Sequence, residues 1–322
     1  KSEFLYDKLH EVSKVITRNL NKIIDCNFYP TEKTKKSNFR HRPIGIGVQG
    51  LADVFAMLDI AYHSDEARIV NRNIFETIYH GALESSNEIA QEEGSYETFE
   101  GSPTSKGILQ FDMWNINPVK RYDWNALKAK IKATGLRNSL LVAPMPTAST
   151  SQILGNNECF EPFTNNVYTR RTIAGDYIIA NKYMIRELLS IGMWTEDIKN
   201  SVIEHNGSIQ HITSIPQHIR NKYKIVWEIP MKHMIDMACE RGAFICQSQS
   251  LNLWQSDPNY KNLTSMHFYS WEKGLKTAIY YLRRKPRAAP QQFTIDPSKK
   301  DDATVENNVE EEEEGPCETC SS

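Results

Sequence analysis

The chain has 322 residues, 40% of them hydrophobic and 24% charged, with a formal net charge of −2. That composition suits a soluble globular protein of one large or two ordinary domains and gives no global drive towards nucleic acid or a membrane surface. No apolar run approaches the ~18 residues of a spanning helix, no signal peptide is visible, and six cysteines are too few and too scattered for a disulfide scaffold.

Position 1 is Lys, and a helical pattern begins almost at once, which reads as a piece of a longer protein. Leu5, Leu9, Val12, Val15, Ile16, Leu20, Ile23 and Ile24 share one helical face, with Lys14, Arg18 and Lys22 opposite. Residues 29–43 read as a polar, basic linker. Gly45, Gly47 and Gly50 then spell G-x-G-x-x-G, with Asp65 downstream. A dinucleotide fingerprint must follow an apolar strand, and SNFRHRP precedes this one. The glycines fit better within a strand, where they permit close backbone approach, ahead of a helix carrying Leu51, Val54, Phe55 and Leu58.

Ser64-Asp65-Glu66 supplies a hydroxyl cap and two first-turn acids for a long helix reaching Gly94. Residues 96–118 form a turn-rich, aromatic loop. Asp123 opens a helix that Gly135 stops. Ser139 to Ala143 is a short apolar run of strand length, closed by Pro144 and Pro146. Pro146, Thr147, Ala148, Ser149 and Thr150 follow. Their hydroxyls and free N–H groups can wrap an anion without a Lys or Arg; equally, they can be a plain helix cap.

Arg170-Arg171 reads as an anion neutraliser or a surface salt-bridging pair. Helices are expected over 181–190, 195–205, 217–240 and 264–279, and a strand over 243–253. Tyr280-Tyr281 is either a packed aromatic pair or a relay of redox-active phenols. Cys26, Cys159, Cys239 and Cys246 read as buried small hydrophobes. From Arg283 the chain turns basic and proline-rich, then acidic and nearly devoid of apolar residues, so 290–322 is expected to be a flexible tail beyond a folded 1–289. The tail ends in Cys317-Glu318-Thr319-Cys320. Zinc needs four ligands and no second pair is near; a tethered dithiol can instead exchange with disulfides, or the two cysteines are incidental. Two N-x-[ST] sites, at Asn206 and Asn262, carry little weight without a secretion signal. The cysteine usage implies a reducing compartment, hence a cytoplasmic one. Helix–strand alternation indicates an α/β class with parallel strands, too few here to close a barrel.

Several stretches, among them RPIGIGVQGLADVFAML, SKGILQFDMWN, LRNSLLVAPMPTAST, ERGAFI, LTSMHFY and LKTAIYYLR, closely resemble the large subunit of class I ribonucleoside-diphosphate reductase of the eukaryotic and viral type. The resemblance runs from about residue 5 to 295 and resumes at the terminal C-x-x-C. It implies the C-terminal half of a ten-stranded α/β barrel with surrounding helices. It also implies that Pro146–Thr150 binds the substrate diphosphate, that Tyr280 and Tyr281 pass a radical inward, and that Cys317 and Cys320 re-reduce the active-site disulfide. The implied partners are a di-iron small subunit that supplies the radical, thioredoxin or glutaredoxin, ribonucleoside diphosphates, and the N-terminal half of the large subunit or a homodimer partner. No cofactor or metal is expected on this chain. The thiyl-radical finger loop, the active-site disulfide cysteines and the allosteric ATP/dNTP sites are implied to precede Lys1. Two rivals are a glycyl-radical or cobalamin-dependent relative and a catalytically incomplete half-subunit kept for nucleotide binding or assembly. The first lacks its C-terminal glycyl loop here, and a cobalamin enzyme needs no tyrosine pair.

Overall fold

The structure, a computed structural model, describes residues 2–172 and 175–285. The expected tail, with Cys317 and Cys320, lies outside them, as do the side chains of Arg170 and Arg171. Among the described residues helices dominate: α1 (Tyr6–Cys26), α2 (Glu32–His41), α3 (Leu51–Met57), α4 (Asp65–Glu93), α5 (Gln110–Met113), α6 (Trp124–Thr134) and α7 (Thr150–Leu154). An antiparallel hairpin follows, β1 (Val167–Thr172) with β2 (Gly175–Ala180). Then come α8 (Lys182–Ser190), α9 (Glu196–Glu204), α10 (Gln217–Lys222), α11 (Met231–Gly242), β3 (Asn252–Trp254), α12 (Tyr260–Glu272) and β4 (Tyr281–Arg283).

The expected caps are in place. The Ser64 hydroxyl accepts from Ala67 N–H at 3.1 Å and the Asp123 carboxylate from Ala126 N–H at 2.9 Å. Gly135, at φ +82°, closes α6. Three expectations fail. The 29–43 linker is largely helix α2, capped by Thr31, whose side chain accepts from Thr34 N–H; it buries nothing, so it carries no apolar period to read. The 217–240 helix is two: α10 stops at Lys222, and α11 starts at Met231 straight after Pro230, whose ring is tolerated at a helix start but not inside one. The 264–279 helix instead starts at an Asn259 cap and ends before Gly274, which is at φ +81°.

The parallel frame lies in four extended segments. Ile44 N–H donates to Leu140 O, Ile46 N–H to Leu141 O and Ala143 N–H to Ile46 O, joining 43–48 to 139–146. Gln247 N–H donates to Val142 O and Ser250 N–H to Pro144 O, adding 245–251. Tyr280 N–H donates to Leu251 O, and β3 runs parallel to β4 with Asn252 opposite Tyr281. The segments therefore lie side by side in chain order, with helical crossovers between them. Their apolar side chains (Ile44, Ile46, Leu141, Val142, Leu251 and Leu253) enter the main core. A second core, around Met184, Leu188, Ile215 and Tyr223, belongs to the excursion through α8–α10.

Helix α1 departs most from expectation. It packs along α4 through Ser13, Thr17 and Asn21, all buried. Lys14 pairs with Glu84 and Glu88 at 3.0 and 2.6 Å, and Arg18 with Glu92 at 2.9 Å. A Cβ on Gly81 of α4 would stand 2.9 Å from His10 O, so the two backbones pass at glycine distance. The aliphatic residues divide: Leu9, Leu20 and Ile24 pack into the main core, while a strip points outward, with Leu5 71% exposed, Val15 54% and Ile23 54%. Among the described residues nothing covers it.

Candidate active site at the ends of the extended segments

In parallel α/β arrangements ligands bind beyond the C-terminal ends of the strands. Here those ends carry the Gly47–Gly50 turn and the Pro146–Thr150 loop, while Tyr280-Tyr281 stands at the start of β4. Gly47 exists for contact: a Cβ there would meet Pro144 Cα at 3.0 Å and Met145 N at 3.1 Å. Gly50, at φ +80°, turns the chain into α3, and its N–H donates to Asn157 O at 2.9 Å. The G-x-G-x-x-G spelling thus gives close approach at Gly47, as its context indicates, and a turn rather than strand at Gly50.

The loop is only partly free. Thr147 takes the left-handed conformation (φ +58°), and its hydroxyl accepts from Cys159 N–H at 2.7 Å. That hydroxyl ties the loop to residues 156–159 rather than facing outward. Ala148, Ser149 and Thr150 are exposed. Their N–H groups have no partner among the described residues. The Thr150 hydroxyl donates to Gln49 Oε1 at 2.9 Å, and Gln49 Nε2 is buried and unpartnered among the described residues. Sequence reasoning missed Gln49. Its signal is its place just before Gly50, at the mouth of the adjacent segment.

Tyr280 and Tyr281 do come together, with ring centroids 4.4 Å apart and planes at 66°. Neighbours in a regular strand would diverge; Tyr280 precedes β4 in a bend, which frees its ring. Both rings are about half exposed. Hydrogen bonding with the Tyr281 phenol raises the Tyr280 hydroxyl above its usual value. The register sets Tyr280 level with Leu251, and Ser250 with Pro144. The phenol pair is thus two segments across from the loop, about 10 Å at ~4.8 Å per strand spacing.

Glu161, two residues beyond Cys159, is buried, and burial pushes its carboxyl up to about 7. Trp254 Nε1–H donates to its Oε2 at 3.1 Å, while Oε1 has no partner among the described residues. A carboxyl poised near neutrality beside a loop is suited to moving protons. Cys159, Cys239 and Cys246 are poor nucleophiles. Burial pushes the Cys159 and Cys239 thiols up to about 12 and raises Cys246, whose sulfur accepts from Leu141 and Val142 N–H at 3.2 Å. Cys26, expected to be buried, is exposed near the end of α1.

Parallel extended segments joined by helices, with polar loops at their C-terminal ends, define one side of an α/β barrel. Comparison makes the class specific: the chain belongs to the ribonucleotide reductase barrel-domain family, whose model matches residues 1–281. It is 57% identical over 295 residues to the ribonucleoside-diphosphate reductase large chain of Schizosaccharomyces pombe, covering 92% of this chain and 36% of that one. It is 57% identical over 296 residues to the large subunit of Caenorhabditis elegans, covering 92% and 38%. The large subunit of Arabidopsis thaliana is 53% identical over 313 residues, covering 97% and 38%. The Actinobacillus ureae class Id ribonucleotide reductase alpha subunit superposes with a TM-score of 0.68 at 26% identity, over 85% of this chain and 46% of that one. The chain thus spans little more than a third of the curated relatives it matches.

Proposed function

We propose that this chain forms the C-terminal part of a class I ribonucleoside-diphosphate reductase large subunit and serves reduction of ribonucleoside diphosphates to their 2′-deoxy forms. The carrying observation is 57% identity over 92% of the chain to proteins named as that large subunit. In this reading Pro146, Thr147, Ala148, Ser149 and Thr150 hold the substrate diphosphate through neutral donors, with Thr147 bracing the loop against Cys159. The unpartnered N–H groups of residues 148–150 support this role, because an anion is held well by several backbone donors in one concavity.

Tyr280 and Tyr281 relay a radical from a di-iron small subunit inward to the radical cysteine of the large subunit's N-terminal portion, the electron and proton taken from that thiol passing outward through the two phenols. Contact between their rings and half exposure of each support a relay open to a partner on one side. Cys317 and Cys320 give two electrons and two protons to the active-site disulfide. They become a disulfide themselves and are reduced in turn by thioredoxin or glutaredoxin.

The test is turnover after assembly with the remaining large-subunit sequence and the small subunit. Tyr280→Phe and Tyr281→Phe, each alone, are expected to abolish product formation while leaving ribonucleoside-diphosphate affinity unchanged. Undiminished turnover in either would refute its place in the relay.

A further inference from the structure

Away from these loops, the α1–α4 seam holds a second cluster of chemically capable groups. His80 and Glu84 lie one turn apart on α4, on the face that meets His10 of α1. His10 Nε2 is 2.8 Å from His80 Nδ1 and 3.8 Å from Glu84 Oε2. One ligand atom from each of the three lies within 4.8 Å of the others. We propose that His10, His80 and Glu84 form a binding site for one divalent transition-metal ion of the zinc class, clamping α1 to α4.

The geometry is close to what coordination asks. With metal–nitrogen and metal–oxygen bonds of about 2.0–2.1 Å, tetrahedral ligand atoms stand about 3.3 Å apart. The His10–His80 separation must therefore open, and the His10–Glu84 separation close, by about half an ångström each, and the His80–Glu84 separation, within 4.8 Å, must close by up to about 1.5 Å. Small side-chain rotations supply that. The rings are held for it: Tyr122 stacks on His80 at 4.3 Å and on His10 at 5.3 Å, and its hydroxyl is anchored to Thr77 at 2.9 Å. Burial holds both imidazoles below their usual value, so both are neutral at pH 7, the state that ligates.

Two imidazoles and a carboxylate suit zinc, cobalt, nickel or copper rather than magnesium or calcium. The proton shared in the His10–His80 hydrogen bond is not lost on binding. Each ring keeps its single proton on the nitrogen turned away from the metal. The resident competitor is Lys14, 3.0 Å from Glu84; it retains Glu88 at 2.6 Å when Glu84 turns to the ion. Three protein ligands leave a fourth position for water.

The test uses the full chain, stripped of metal with a chelator and titrated with Co2+, whose visible spectrum reports its ligands. The expected result is one equivalent bound with d–d bands of nitrogen and oxygen ligation and no thiolate charge-transfer band. His80→Phe, which keeps a ring against Tyr122, is expected to weaken binding by about 10–100-fold or more. Lys14→Met, which removes the competing cation, is expected to tighten it. Equal affinity in His80→Phe and the parent chain overturns the proposal. So does unchanged affinity in Lys14→Met, or a thiolate band showing that cysteine holds the ion.

Discussion

Gly47 offers a direct test of how the loop is built. An alanine Cβ there would meet Pro144 Cα at 3.0 Å, Met145 N at 3.1 Å and Ala143 O at 3.4 Å, all backbone atoms that cannot swing aside. Overpacking of this kind costs about 1–3 kcal/mol. Against it stands the ~0.4–1 kcal/mol that a Gly→Ala change gains by restricting the unfolded chain. Gly45 is the internal control. It lies on the same segment, and its added Cβ would meet only Ala143 Cβ at 3.3 Å and Ala143 O at 3.9 Å. Gly45→Ala should therefore stay within about 1 kcal/mol of the parent chain, while Gly47→Ala should be less stable than Gly45→Ala, losing up to about 2.6 kcal/mol net. The displaced atoms belong to residues just before Pro146, so Gly47→Ala should also weaken ribonucleoside-diphosphate binding in the assembled enzyme, and Gly45→Ala should not. Urea unfolding and diphosphate titration of both variants decide it. Equal stability and equal affinity in the two would refute the idea that glycine contact at 47 sets the loop.

Three further outcomes are expected. Ser149→Ala with Thr150→Ala should weaken diphosphate binding by about 1–3 kcal/mol if two hydrogen bonds are lost, measured by calorimetric titration; unaltered affinity would count against the loop. Cys317→Ser with Cys320→Ser should permit a single turnover in rapid-quench assays yet stop thioredoxin-driven cycling, and sustained cycling would discard the shuttle. Glu161, raised from 4.5 to about 7, contributes stability that is full below pH 4.5 and is lost as pH rises through about 7. Glu161→Gln should therefore gain on the parent chain across that window, by about 3 kcal/mol at most, and parallel stability–pH curves would show the carboxyl is not held protonated.

Much of the frame was readable from local chemistry. Ser64 and Asp123 announced their helices because an oxygen side chain before an apolar period satisfies otherwise orphaned N–H groups. The glycines at 45 and 47 read as close approach rather than nucleotide binding because no apolar strand leads into them. Residues 139–143 have the apolar run of a strand, and they join the parallel frame. What stayed hidden depends on distant partners. The period of α1 identifies an aliphatic face but not which side meets α4, and the mating stripe on α4 is Gly81, Ser85 and acids, which salt-bridge Lys14 and Arg18. Helix α2 is polar all round, so no period marks it. Glu161 looks like any loop acid until the fold encloses it, and Gln49 acquires meaning only beside Thr150.

The outward aliphatic strip of α1 has a thermodynamic consequence. From Leu5 to Ile23 it runs about 27 Å at 1.5 Å per residue. Any surface that settles on that strip binds the folded chain and not the unfolded one, so mass action ties the measured unfolding midpoint to how much of that surface is present. A denaturation curve recorded on this polypeptide is then a property of the mixture in the cuvette as well as of the molecule. Dilution becomes as informative a perturbation as mutation.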